Sequence, residues 1–159
     1  MYLKKQRWKV MLTEYKGEIF NIEKRGKKAD IWRYTPVDGF RKTDIGRGGI
    51  ICYEKTVNLK DTKGCFTVAF RAFSDGLAFF VSDVRGNDVV VLTGNATYAK
   101  EHGFHEVERP LWIAQRTNES FDEFEMIMHN VENGEDTVTK MDWKQMKSAW
   151  SRYEEDVNY

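Results

Sequence analysis

Four short turn signals set what this chain can fold into: Lys16-Gly17, Arg25-Gly26-Lys27, Asp75-Gly76 and Gly86-Asn87. Each separates apolar runs that are too short for helices and rich in aromatic and β-branched residues. Trp8, Val10 and Leu12 alternate with Lys9, Met11 and Thr13. Ile19 to Ile22, Ala29 to Tyr34, and Ile50 to Val57 follow, the last after Gly46, Gly48 and Gly49. Phe66, Val68, Phe70 and Ala72 then alternate, and Leu77 to Val84 and Val89 to Leu92 return from the later turns. Glycine in a two-residue connection allows the positive φ that closes a tight hairpin, so consecutive runs are expected to pair antiparallel. One helix is expected between them. Asn95 is its N-cap, Ala96 to His102 its body and Gly103 its C′ residue. Pro110 then opens a strand through Leu111, Trp112 and Ile113.

The order of these signals suggests an internal repeat with a period of about 60 residues, a familiar size for a small curled sheet. Tyr15 to Ile22 lies over Ser74 to Val81, and Arg25-Gly26 over Arg85-Gly86 with one residue inserted. Ala29 to Trp32 is placed over Asp88 to Val91, and Gly39-Phe40 over Gly103-Phe104. The expected fold class is therefore α+β, mainly β: two similar small antiparallel sheet units, residues 1–60 and 61–118, then a segment 119–159 packing on the same fold. In that segment Ser120 to Glu123 reads as a capping box and starts a short helical turn. Asn133-Gly134 then signals a hairpin between Met126 to Glu132 and Asp136 to Met141. Trp143, Met146, Trp150, Tyr153 and Val157 form the apolar stripe of a C-terminal helix capped by Asp142.

Charge narrows the partner classes. The 159 residues balance 25 Lys and Arg against 25 Asp and Glu. Residues 1–60 nevertheless hold 15 basic against 7 acidic side chains, and residues 118–159 hold 4 against 11. No uncharged run approaches the roughly 20 residues of a spanning helix. The start, MYLKKQRWKV, has no apolar stretch of the signal-peptide kind. Cys52 and Cys65 sit in apolar runs and do not make a disulfide framework. These features point to a cytoplasmic protein with no membrane partner.

No catalytic apparatus is recognisable, so a binding protein is expected rather than an enzyme. His102 and His105, between Glu101 and Glu106, have no third and fourth ligand at metal-site spacing and read as exposed loop residues. Gly46-Arg47-Gly48-Gly49 lacks the lysine and hydroxyl of a phosphate loop. Glu14-Tyr15-Lys16 has the Glu-x-Lys spacing of some nucleases but no acidic residue upstream. No catalytic, cofactor or metal residues are assigned, and no small-molecule ligand is indicated. Lys4, Lys5, Arg7 and Lys9 around Trp8, and Lys24, Arg25, Lys27 and Lys28 before Trp32, would suit a single-stranded nucleic acid. The overall pI near 6.8 opposes that reading, and a nucleic-acid-binding or phage-type accessory protein using the basic N-terminal half stands as the alternative.

The stretch Cys65 to Arg116, with Asp75-Gly76, Arg85-Gly86-Asn87-Asp88, Val-Val-Val-Leu-Thr-Gly and Gly103-Phe104, resembles small tandem β-domain immunity proteins associated with bacterial polymorphic toxins. The resemblance covers about a third of the chain and brings no binding residues with it. It implies an intracellular inhibitor that binds a cognate protein toxin domain. Many such toxins are nucleases with basic active sites. Glu154, Glu155 and Asp156 of the acidic tail are therefore the expected partner-binding residues, gaining on-rate by charge complementarity.

Overall fold

A computed structural model describes residues 11–44, 51–155 and 157. The chain forms two compact units. The first consists of Met1–Val68, Met128–Asp136 and Ser148–Tyr159, the second of Ala69–Ile127 and Thr137–Lys147. The C-terminal third is thus shared between the units.

In the first unit β1 (Leu12–Tyr15), β2 (Glu18–Arg25) and β3 (Lys28–Arg33) form a meander. β5 (Cys52–Asn58) joins the free edge of β3, and the short β4 (Arg41–Thr43) joins β5. The first half of β6 (Lys63–Ser74) pairs with β1. In the second unit the latter half of β6, β7 (Leu77–Arg85) and β8 (Asp88–Thr93) form the meander. β10 (Leu111–Thr117) joins β8, and the short β9 (His105–Glu108) joins β10. Both units therefore run the same antiparallel order, with the short strand outside the strand that follows it.

The turns explain the shared order. Lys16 and Gly17 have φ of 50° and 80°, and Asp75 and Gly76 have 50° and 77°. Two consecutive positive φ values mark the type I′ turn, whose twist matches that of the flanking strands. Gly26 and Gly86 each open the next hairpin with φ of 61°. The residue inserted in the second unit lies in β7, where the register with β8 shifts between Val81 and Asp83. A bulge absorbs an extra residue without flipping the rest of the strand. This corrects one part of the expected alignment. Arg25 faces Lys28 and Arg85 faces Asp88 across their turns, so Ala29 matches Val89 rather than Asp88. Ala29, Ile31, Val89 and Val91 are all fully buried.

Each unit has its own core. In the first, Tyr15, Phe20, Ile22, Ala29, Ile31, Val57 and Cys65 pack together, with Val37, Phe40 and Leu59 against them. In the second, Phe70, Ala72, Phe79, Val89, Val91 and Ala114 are buried, and α1 (Ala96–Glu101) packs Tyr98 onto Phe79 at 5.4 Å. Asn95 caps α1 by accepting from the Tyr98 N–H at 3.0 Å.

The segment after β10 departs from the expected helical turn. Asn118–Ser120 form a single 3₁₀ turn, and the supposed capping box leads into β11 (Glu123–Asn130). β11 pairs with β6 and with β12 (Asp136–Met141), so strand pairing overrides the helical spacing of Phe121, Phe124 and Met128. Asn133-Gly134 does lie in the connecting loop. That loop is longer than a two-residue turn because the Asn130 side chain accepts from the N–H groups of Glu132 and Asn133. α2 (Trp143–Trp150) begins with a reciprocal cap between Asp142 and Gln145, at 2.8 and 3.0 Å. It continues as a π-helical turn, Ser151–Glu155. Met146, Trp150, Tyr153 and Val157 are buried, and Trp143 is half-buried against Phe124 at 5.4 Å.

Cys52 and Cys65 are free and buried. Burial pushes the Cys65 thiol above its ordinary 9.0, while Lys24 pulls it the other way. The Lys24 amine is raised from its ordinary 10.5, chiefly by its hydrogen bond to Glu132. Both groups bind protons more tightly folded than unfolded. Their stabilisation is complete below the unfolded values and fades as pH rises through the folded ones. Stability is therefore expected to fall above pH 9, and Cys65→Ala should flatten the first part of that fall in chemical denaturation. An unchanged slope in the variant would remove Cys65 from the account.

Candidate functional site

The register of β2, β3 and β5 places two cations on a face that is otherwise core. Ile31 lies opposite Lys55, and Arg33 opposite Tyr53. Arg33 and Lys55 share the parity of the buried Ala29, Ile31 and Val57, where strand alternation calls for apolar side chains. They border a cleft of about 370 Å³, which also takes in Tyr15, Lys16, Glu18, Phe20, Asp38 and Phe40. Its floor is aromatic. Phe20 and Phe40 stack at 5.1 Å and 15°, and Tyr15 meets Phe20 edge-on at 6.2 Å.

The cations ride on this floor. The Arg33 guanidinium is 4.5 Å from the Phe20 ring centre, and its Nε donates to the Ile19 carbonyl at 2.7 Å. The Lys55 ammonium lies 5.9 Å from both the Tyr15 and Phe40 rings, and that of Lys16 lies 5.4 Å from Tyr15. Ring faces attract cations in this range. Among the described residues, the ion pairs of the first unit join Lys24 to Glu132, Arg25 to Asp30, Arg41 to Glu54 and His129 to Asp136. None of them engages Lys16, Arg33 or Lys55. The cleft can hold an anionic group by charge and an apolar or aromatic group by contact.

The expected partner-binding residues lie elsewhere. Glu154 is half-buried and Glu155 exposed, while Asp156 falls outside the described residues. They follow Tyr153, which is buried edge-on against Phe66 at 6.3 Å. The two histidines do not come together in a loop. His102 stacks on Tyr98 at 3.8 Å, and His105 begins β9 opposite Ile113. Among the described residues no three His, Cys, Asp or Glu side chains converge as metal ligands would. No helix among them is long and apolar enough to cross a membrane.

Lys24, Arg25 and Lys28 are engaged with Glu132, Asp30 and Asn58. Trp32 is only 9% exposed, so it offers no open face for a base. Trp8 with its neighbouring lysines, and Gly46 to Gly49, lie outside the described residues. Sequence reasoning passed over Arg33 and Lys55. Their one signal was a charge at an inward-facing strand position. No family model, curated protein or solved structure matches this chain.

Proposed function

We propose that this chain is a non-catalytic binding protein that neutralises a partner protein by direct contact, the partner being a bacterial toxin domain as the sequence resemblance suggests. The observation that carries the binding role is the cleft of the first unit. Three cations stand on an aromatic floor there and outnumber the two carboxylates of the lining, Glu18 and Asp38, and no ion pair among the described residues engages them. Single-stranded nucleic acid fits this cleft less well. Successive bases need several open ring faces, whereas Phe20 and Tyr15 are 1% and 8% exposed with cations over them, which leaves only Phe40 of the floor half-buried. The acidic tail has a smaller role in this reading, because Glu154 is half-buried.

The immobilised full chain should capture one protein from its native cell at equal stoichiometry. Expressed alone in a bacterial host, that protein should arrest growth, and co-expression of this chain should restore it. A captured protein that is harmless, or no capture at all, would end the inhibitor reading.

A further inference from the structure

The two units share a floor but not a cover. Phe20 with Phe40 in the first unit corresponds to Phe79 with Phe104 in the second, at 5.1 and 5.9 Å. Each second phenylalanine follows a left-handed glycine, Gly39 or Gly103, with φ of 79° and 73°. In the second unit the chain covers this floor itself. The connection between β8 and β9 folds as α1, laying Tyr98 5.4 Å from Phe79 and 5.9 Å from Phe104, with Ala99 fully buried beside it. In the first unit the connection between β3 and β4 is shorter and carries no helix, and the cleft opens there.

The strand positions beneath the cover differ in one consistent way. Val91 lies opposite Ala114, and Thr93 opposite Trp112. The matching pairs in the first unit are Ile31 with Lys55, and Arg33 with Tyr53. Thr93 and Ala114 are thus replaced by Arg33 and Lys55, and Asp75 of the leading turn by Lys16.

We propose that the cleft of the first unit receives a helical turn of a partner protein, bearing an aromatic side chain flanked by carboxylates, in the position that α1 fills in the second unit. The proposal rests on the reading of this chain as a binding protein and adds the chemistry of what it binds. The aromatic side chain takes the place of Tyr98 and packs on Phe40, the half-buried ring of the floor. The carboxylates meet Lys16, Arg33 and Lys55 in charge-assisted hydrogen bonds. A helix presenting alternate anchors to a groove is a common recognition mode. A helix with the charges of α1 would leave the cations unmatched, since α1 carries Lys100 as well as Glu101.

The test uses the full chain and a side-chain-bridged helical peptide with one tyrosine between glutamates one turn away on either side. Amide shifts on titration should centre on Lys16, Phe40 and Lys55. A peptide with lysines in place of the glutamates should bind at least about tenfold more weakly, as loss of two to three partly buried ion pairs requires. Lys55→Glu should weaken the glutamate peptide by about fivefold or more. Arg33 is tied to the Ile19 carbonyl, so Lys55→Glu and Lys16→Glu keep the test independent of folding. Equal binding of the two peptides, or shifts centred elsewhere, would overturn the proposal. So would the same shifts from inorganic pyrophosphate or a single-stranded oligonucleotide with none from the glutamate peptide. If Lys55→Glu still captures the native partner unchanged, the helical-turn proposal fails while the binding reading survives.

Discussion

Trp150→Ala should destabilise the protein by about 3–5 kcal/mol, the range for a large aromatic side chain removed from a core. The indole is 6% exposed and stands between Met146 at 0% and Tyr153 at 9% along the buried stripe of the C-terminal helix. Its loss removes apolar burial and leaves a space that neighbours fill only in part. The chain end it anchors is also fixed by polar contacts, since Asn21 and the Tyr34 N–H both donate to the Val157 carbonyl at 3.3 Å. Urea unfolding of Trp150→Ala beside Lys147→Ala makes the comparison, because Lys147 is exposed on the same helix and should change stability by under about 0.5 kcal/mol. A loss below about 1 kcal/mol for Trp150→Ala would mean that the helix end only leans on the first unit.

Arg71→Met should cost about 3 kcal/mol, because it strands a buried carboxylate. Glu125 is 5% exposed and pairs with Arg71 in the second unit. The pair itself adds little net stability, since taking two charges out of water offsets their attraction. The harm comes from removing one partner alone. Arg71→Met with Glu125→Met should therefore return to within about 1 kcal/mol of the original protein, as replacement of both members by apolar groups of similar shape often does. If the double variant is no more stable than Arg71→Met alone, then Arg71 contributes through its packing on Phe73, 5.8 Å away, rather than through Glu125.

The hairpins were legible because their turns carry their own chemistry. A glycine with positive φ after Lys16 or Asp75 leaves few alternatives, and among the described residues the apolar runs around those turns are strands. The common strand order of the two units followed from the same signals. The likeness is one of strand order and turn geometry. The short outer strands were not legible. Arg41-Lys42-Thr43 and His105 to Glu108 are mostly polar, because each pairs along one edge only and buries almost nothing. Phe121, Phe124 and Met128 carry helical spacing and strand structure at once, and pairing with β6 decided between them. The candidate site was hidden for another reason. Lys16, Arg33 and Lys55 come from a turn and two strands, and only the pairing of Ile31 with Lys55 brings them to one face.

The first unit begins with the chain's first described strand yet includes Val157, the last described residue. The hydrogen bond from Asn21 to Val157 closes a separation of 136 positions. Synthesis runs from the N-terminus, and domains fold as their residues emerge. The second unit lacks nothing once Lys147 has emerged, but the first still waits for Ser148–Tyr159. The unit that starts first is thus the last that can be finished. Until residues 148–157 have emerged, its core stays open along the edge that Trp150, Tyr153 and Val157 later seal.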